Sequence, residues 1–114
     1  MSIETSKQRD LFPGALELMI LRVVQRRPLH GYALVAEIKQ SSGDLLHVEE
    51  GSLYMALQRM LKERWLSAKW SVSPTNRRVR VYSITPAGRK RLHVEVSKFA
   101  QMLEGVHRVL RYEH

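Results

Sequence analysis

There is no cysteine in this 114-residue chain. That excludes a disulfide framework and any thiolate metal site, and it suits a reducing compartment. Aspartate is nearly absent as well: Asp10 and Asp44 are the only two. The five histidines (His30, His47, His93, His107, His114) lack paired helical metal-ligand spacing. There is no Gly-rich phosphate loop, no nucleophile elbow and no thiol nucleophile, so we expect no enzyme, no metal and no cofactor. Long hydrophobic runs are missing too. A stretch such as Leu18 to Leu21 is far short of a membrane span, and the opening "MSIETSKQRDLF" has no apolar h-region. The expectation is therefore a soluble cytoplasmic protein without a secretory signal.

What the chain has in excess is positive charge. Lysine and arginine number 19 against 11 acids, for a net charge of +8. The excess is concentrated: ten basic residues and one acid, Glu63, lie between Arg59 and Arg91. Such a concentration is the electrostatic footprint of a polyanionic partner, although a merely solvated face has the same composition.

The hydrophobic pattern divides the chain into elements. Pro13 and Gly14 precede a helix from Ala15 to Arg27, with Leu16, Met19, Ile20, Val23 and Val24 at helical spacing. Leu18 and Leu21 widen its apolar surface, which predicts burial on several sides. Pro28 ends it. "LHGYALVAEIKQSSG" predicts a second helix opened by Gly31, with Tyr32, Val35 and Ile38 inward and Ser42-Gly43 as its stop. "EEGSLYMALQRMLKERW" predicts a third, with Leu53, Leu57, Met60 and Leu61 on one face, so that the pair reads as a helix-turn-helix.

The period then changes to two. Leu66, Ala68, Trp70 and Val72 alternate with Ser67, Lys69, Ser71 and Ser73, "SPTN" is a turn cluster, and "RRVRVYSI" is a returning strand. This predicts a two-stranded hairpin with its tip at Pro74 to Arg78. Three helices followed by such a hairpin describe a winged helix. Thr85 and Pro86 then cap and start a last helix, in which Leu92, Val96, Phe99, Leu103, Val106 and Leu110 are spaced 4, 3, 4, 3 and 4. A helix from Pro86 to Tyr112 would be roughly 40 Å long. One small domain cannot cover that seam, so a partner helix and a homodimer are expected.

At this point three ordered motifs carry a resemblance. His30-Gly31-Tyr32, the GSLY step at Gly51 to Tyr54 and the YSITPAG run at Tyr82 to Gly88 resemble the PadR family of bacterial transcriptional regulators, over roughly Leu11 to Leu92. The short tail is similar to the compact branch with a single C-terminal dimerisation helix. The resemblance implies a mainly α winged helix-turn-helix with a small β-hairpin, a two-fold dimer and a pseudo-palindromic DNA operator, usually under repression. It also implies, for many members, release from DNA by a small aromatic or drug-like ligand. The expected organisation is a flexible arm over 1–12, a winged-helix DNA-binding domain over 13–84 and a dimerisation helix over 85–114. The chain departs from the family pattern twice. Glu49 and Glu50 stand where Ser-Pro commonly precedes the recognition helix, and Trp65 stands where a glycine commonly turns the helix into the wing.

Under this reading the third helix shows its polar face to the major groove. Ser52 and Tyr54 can bond phosphates, Tyr54 having a half-buried core role as its alternative. Gln58 can address an adenine edge and Met55 a thymine methyl, with gap filling as the alternative for Met55. Arg59 and Lys62 suit phosphates or a guanine. Thr75, Asn76, Arg77, Arg78 and Arg80 form the basic wing, the alternation leaving the face of Arg80 open. Lys7 and Arg9 could extend an arm along DNA. Tyr32 is expected to pack the second helix. Trp65, Trp70, Phe99 and Met102 are candidate walls of a ligand pocket, with core packing as their alternative. A second function class stays in view: a winged-helix protein-interaction module whose basic face binds an acidic partner, favoured by Glu49-Glu50.

Overall fold

The computed structural model describes residues 14–112. The proposed arm, with Lys7 and Arg9, lies outside them. Four helices and three strands follow in the order α1 (Ala15–Arg26), β1 (Leu29–His30), α2 (Gly31–Ser41), α3 (Glu50–Lys62), β2 (Leu66–Val72), β3 (Arg78–Ile84) and α4 (Pro86–Arg111). Helix α1 buries Ile20, Leu21, Val23 and Val24, with Leu16, Leu18 and Met19 partly covered. It packs against α2, α3, α4 and β3. The broad apolar surface of α1 is thus shared among several neighbours, with Arg22, Gln25 and Arg26 left on an exposed face.

The sheet has three strands rather than two, in the order β1-β3-β2, all antiparallel. Strand β1 pairs Leu29 with Tyr82 and His30 with Val81. Two residues are too few to display a period of two, so its existence depends on the edge that β3 offers. His30 then caps α2, its Nδ1 accepting from the Ala33 amide at 3.3 Å.

Helix α2 turns a different stripe inward from the one expected. Gly31, Leu34 and Ile38 are buried, Val35 is half-buried, and Tyr32 is 72% exposed. Steps of three and four keep Gly31, Leu34 and Ile38 within about 60° on a 3.6-residue helix, whereas Tyr32 and Ile38 stand roughly 120° apart. Helix α2 ends at Gly43 (φ +64°), with Gly43 N–H donating to the Gln40 carbonyl and Asp44 N–H to that of Lys39.

Helix α3 buries Leu53, Ala56, Leu57 and Met60. Its exit answers the question raised by Trp65. The left-handed residue is Arg64 (φ +64°), one position earlier. The Arg64 amide donates to the Leu61 carbonyl and the Trp65 amide to that of Met60, both at 3.0 Å. A non-glycine residue in this conformation costs about 1–2 kcal/mol. Those two bonds and a 2.6 Å bond from Thr85 Oγ1 to the Arg64 carbonyl offset the cost.

Thr85 also caps α4, its Oγ1 accepting from the Gly88 amide at 3.0 Å, and its own amide donates to the Trp65 carbonyl at 3.1 Å. Gly88 is buried directly against that carbonyl, where a Cβ would collide with backbone. The TPAG run is therefore a joint between the end of α3 and the start of α4. Only the first turns of α4 belong to the core: Leu92 is buried and Val96 packs on it. Beyond them the seam leaves the domain, and Val109 and Leu110 are exposed. No helix among the described residues is long and apolar enough to cross a membrane.

Candidate nucleic-acid interface

Residues Gly51, Met55, Gln58 and Lys62 fall within about 60° of one another on α3 and form its outermost ridge; all are exposed. Met55 is therefore no gap-filler. Tyr54 stands on one flank, Ser52 and Arg59 on the other. The Tyr54 ring rests on Gly31: a Cβ there would lie 2.9 Å from both the Cε1 and the hydroxyl of Tyr54. The HGY and GSLY steps thus meet in space, and Tyr54 remains 43% exposed while packed. The half-buried packing role that the sequence offered as an alternative for Tyr54 is thus the one observed, with part of the ring left open to solvent.

Arg59 turns away from the ridge. Its Nε (3.0 Å) and Nη2 (2.8 Å) both donate to Oε2 of Glu17 on α1. The charge that the sequence assigned to the DNA face is paired across the helix crossing. Glu17 carried no sequence signal, because its partner lies 42 positions away. At the entrance, Glu49 is the N-cap residue without a side-chain capping bond, and Glu50 is the first helical residue. Both carboxylates lie where the helix dipole favours negative charge.

The wing pairs seven residues of β2 with seven of β3. Its tip is closed by Asn76 N–H to the Ser73 carbonyl (2.9 Å) and Ser73 N–H to the Arg77 carbonyl (2.8 Å), with Asn76 at φ +64°. Directly opposed residues share a face. Leu66, Ala68, Trp70 and Val72 therefore lie beside Ile84, Tyr82, Arg80 and Arg78. That decides the side of Arg80: it continues the face of buried Tyr82. This face is not buried along its whole length. Leu66 is covered, but Trp70 is 56% exposed and Val72 is exposed, because β2 outruns the core.

On this outer part Arg78 and Arg80 flank the Trp70 ring, with Cζ at 4.5 and 5.9 Å from its centroid. Among the described residues no carboxylate pairs with Arg77, Arg78 or Arg80. Burial pushes the Tyr82 phenol above its ordinary pKa, Arg80 works against this and Tyr54 adds to it. Tyr54 and Arg80 thus both act electrostatically on Tyr82, and α3 packs against β2 at the base of the wing. Trp70 was expected as a pocket wall; the hairpin register, which sets Trp70 opposite Arg80, was the signal for its observed place.

The other candidate walls do converge. Trp65, Phe99 and Met102 line a cleft of about 200 Å³ between α1 and α4, together with Glu17, Glu95 and Lys98. Trp70 is not among them, being five residues farther along an extended strand that leads away. Of the seam, Leu92 is enclosed in its own domain and cannot meet a partner, and Val96 is mostly used there. Leu103 is half-exposed, and Val106 and Leu110 are exposed. Among the described residues no group of His, Asp or Glu side chains is arranged to hold a metal ion.

Known proteins share this arrangement. The PadR-like transcriptional regulator BC4206 of Bacillus cereus superposes with a TM-score of 0.74 at 26% identity, over 89% of this chain and 96% of that one. Bacillus subtilis PadR, solved in complex with operator DNA, gives 0.65 at 21% identity, over 72% of this chain and 46% of that one. A 37.1 kDa protein of transposon Tn4556 from Streptomyces fradiae is 40% identical over 88 residues, and this chain spans 23% of its length. The model of the transcriptional regulator PadR-like family matches residues 20–94. With its three motifs forming the contact between α2 and α3, the start of α3 and the joint to α4, the chain belongs to the PadR-like family of transcriptional regulators.

Proposed function

We propose that this chain binds a pseudo-palindromic DNA operator as a homodimer and acts as a repressor. One observation carries the reading. The exposed ridge of α3 and the wing arginines, which no carboxylate pairs among the described residues, belong to one winged helix in which α3 packs on β2. Met55 and Gln58 on the ridge are the side chains suited to base edges, while Ser52, Tyr54 and Lys62 suit phosphates. Thr75, Asn76 and Arg77 at the tip, with Arg78 and Arg80 behind them, follow the backbone or enter the minor groove. The structure of Bacillus subtilis PadR with operator DNA supports the same use of the fold.

The second protomer meets the distal part of α4. Phe99, Leu103, Val106 and Leu110 make the seam, with Leu92 and Val96 kept for the domain itself. A small aromatic or drug-like ligand fits the cleft walled by Trp65, Phe99 and Met102, and its binding there releases the DNA.

Gel-shift titration of the chain against its own upstream DNA at two salt concentrations tests the first part. Affinity should fall steeply with salt through counterion release. Equal, weak binding to every sequence would instead favour the interaction module with an acidic protein partner. Replacing Phe99 and Leu103 with aspartate should give monomers in sedimentation, and an intact dimer would refute the seam.

A further inference from the structure

The wing holds a tryptophan where nothing needs to be buried. Trp70 is 56% exposed, lies beyond the core on β2 and has the guanidinium carbons of Arg78 and Arg80 at 4.5 and 5.9 Å from its ring centroid, within cation–π range. Cross-strand register sets it opposite Arg80 and diagonal to Arg78. We propose that Trp70 is a positioning residue for DNA binding: it holds Arg78 and Arg80 extended on the DNA side of the wing, with their hydrogen-bond donors free. The proposal rests on the operator-binding reading and deepens it.

The chemistry favours this pairing over an ion pair. A guanidinium is planar, and it meets an indole through its face. Its five N–H donors point outward in the plane of the group, so stacking leaves them available to phosphate oxygens. A carboxylate partner would consume the same donors and cancel the charge, as Glu17 does for Arg59 at 2.8 Å. Trp70 therefore orders two flexible cations without neutralising either. Ordering them beforehand removes part of the entropy lost when they bind, and for two such side chains this corresponds to about tenfold in affinity.

The test compares wild type, W70F, W70L, R78Q/R80Q and the triple W70L/R78Q/R80Q in DNA titrations over a range of salt. Nuclear magnetic resonance of the free protein supplies a readout that does not need DNA. In wild type the Arg78 and Arg80 side-chain protons should show upfield ring-current shifts that W70L abolishes. W70L should bind about tenfold more weakly with a melting temperature within about 2 °C of wild type, because Trp70 is outside the core. W70F should stay within about threefold. The triple variant should bind like R78Q/R80Q, since Trp70 acts only through the arginines.

Three results would overturn the proposal: no ring-current shift in wild type, W70L binding as tightly as wild type, or a further loss on adding W70L to R78Q/R80Q. The last would make Trp70 a direct contact. If wild type binds no DNA, the operator reading fails and this inference falls with it. If wild type binds and W70L matches it, only the inference fails.

Discussion

Helix α3 and the wing treat charge in opposite ways. From Glu49 to Glu63 the helix segment has two basic and three acidic side chains, and one of the basic ones, Arg59, is paired with Glu17. From Leu66 to Ile84 the wing has four basic residues and no acid, and Arg78 and Arg80 lie beside the Trp70 ring rather than against a carboxylate. On the proposed reading the two regions divide the work. The helix presents shape and hydrogen-bonding groups with little net attraction, and the wing supplies the attraction with little access to base edges. A helix that is nearly neutral reads sequence with less interference from non-specific pull, because phosphate contacts are the same for every sequence.

Removing the attraction of the wing should have the largest effect. Changing Arg77, Arg78 and Arg80 together to glutamine should weaken operator and random DNA alike by about 100-fold and flatten the plot of log affinity against log salt by about 2–3. A loss confined to the operator would break the division, since the wing would then be reading bases. Next in size is Gly31→Ala. The new methyl displaces the Tyr54 ring, which can swing because it is half exposed, while alanine favours the helix. We expect operator affinity to drop by about five- to tenfold, with a thermal melt within about 3 °C of wild type.

Smaller effects sharpen the contrast from the helix side. Glu17→Gln frees Arg59 and should tighten random-sequence binding by about threefold, while Arg59→Gln should change it by less than about twofold. The reverse order would mean that Arg59 leaves Glu17 to bind DNA. Glu49→Ser with Glu50→Pro should tighten random-sequence binding by about two- to threefold, seen as a shift of the midpoint in a low-salt fluorescence anisotropy titration. No shift would place the pair away from the backbone.

Local signals in the sequence accounted for much of this. Thr85 and Pro86 announced the start of α4, Gly43 the end of α2, and the alternation from Leu66 announced β2. The winged helix was legible because each element had its own period and its own caps. What escaped was long-range or too short to have a period. Strand β1 has two residues and exists only because β3 offers an edge. The pairing of Arg59 with Glu17 depends on how α1 crosses α3, which no local pattern encodes. Tyr32 was assigned inward because its neighbours are apolar, whereas the stripe through Gly31 and Leu34 has the better helical phase. Trp70 was read as a wall because large aromatics are usually buried, and the length of the hairpin beyond the core is set by tertiary structure.

The joint where Gly88 meets the Trp65 carbonyl has a mechanical consequence. The 26 residues of α4 make a rod of about 39 Å rooted at that point. A tilt of about 5° at the root moves the far end by roughly 3 Å. In the proposed dimer the same leverage acts in reverse: with the far ends clasped, a small rotation at each root swings the two reading heads apart or together. Trp65 stands in that root and also forms a wall of the cleft. A molecule wedged there would act on the short arm of a lever whose load is the spacing between half-sites.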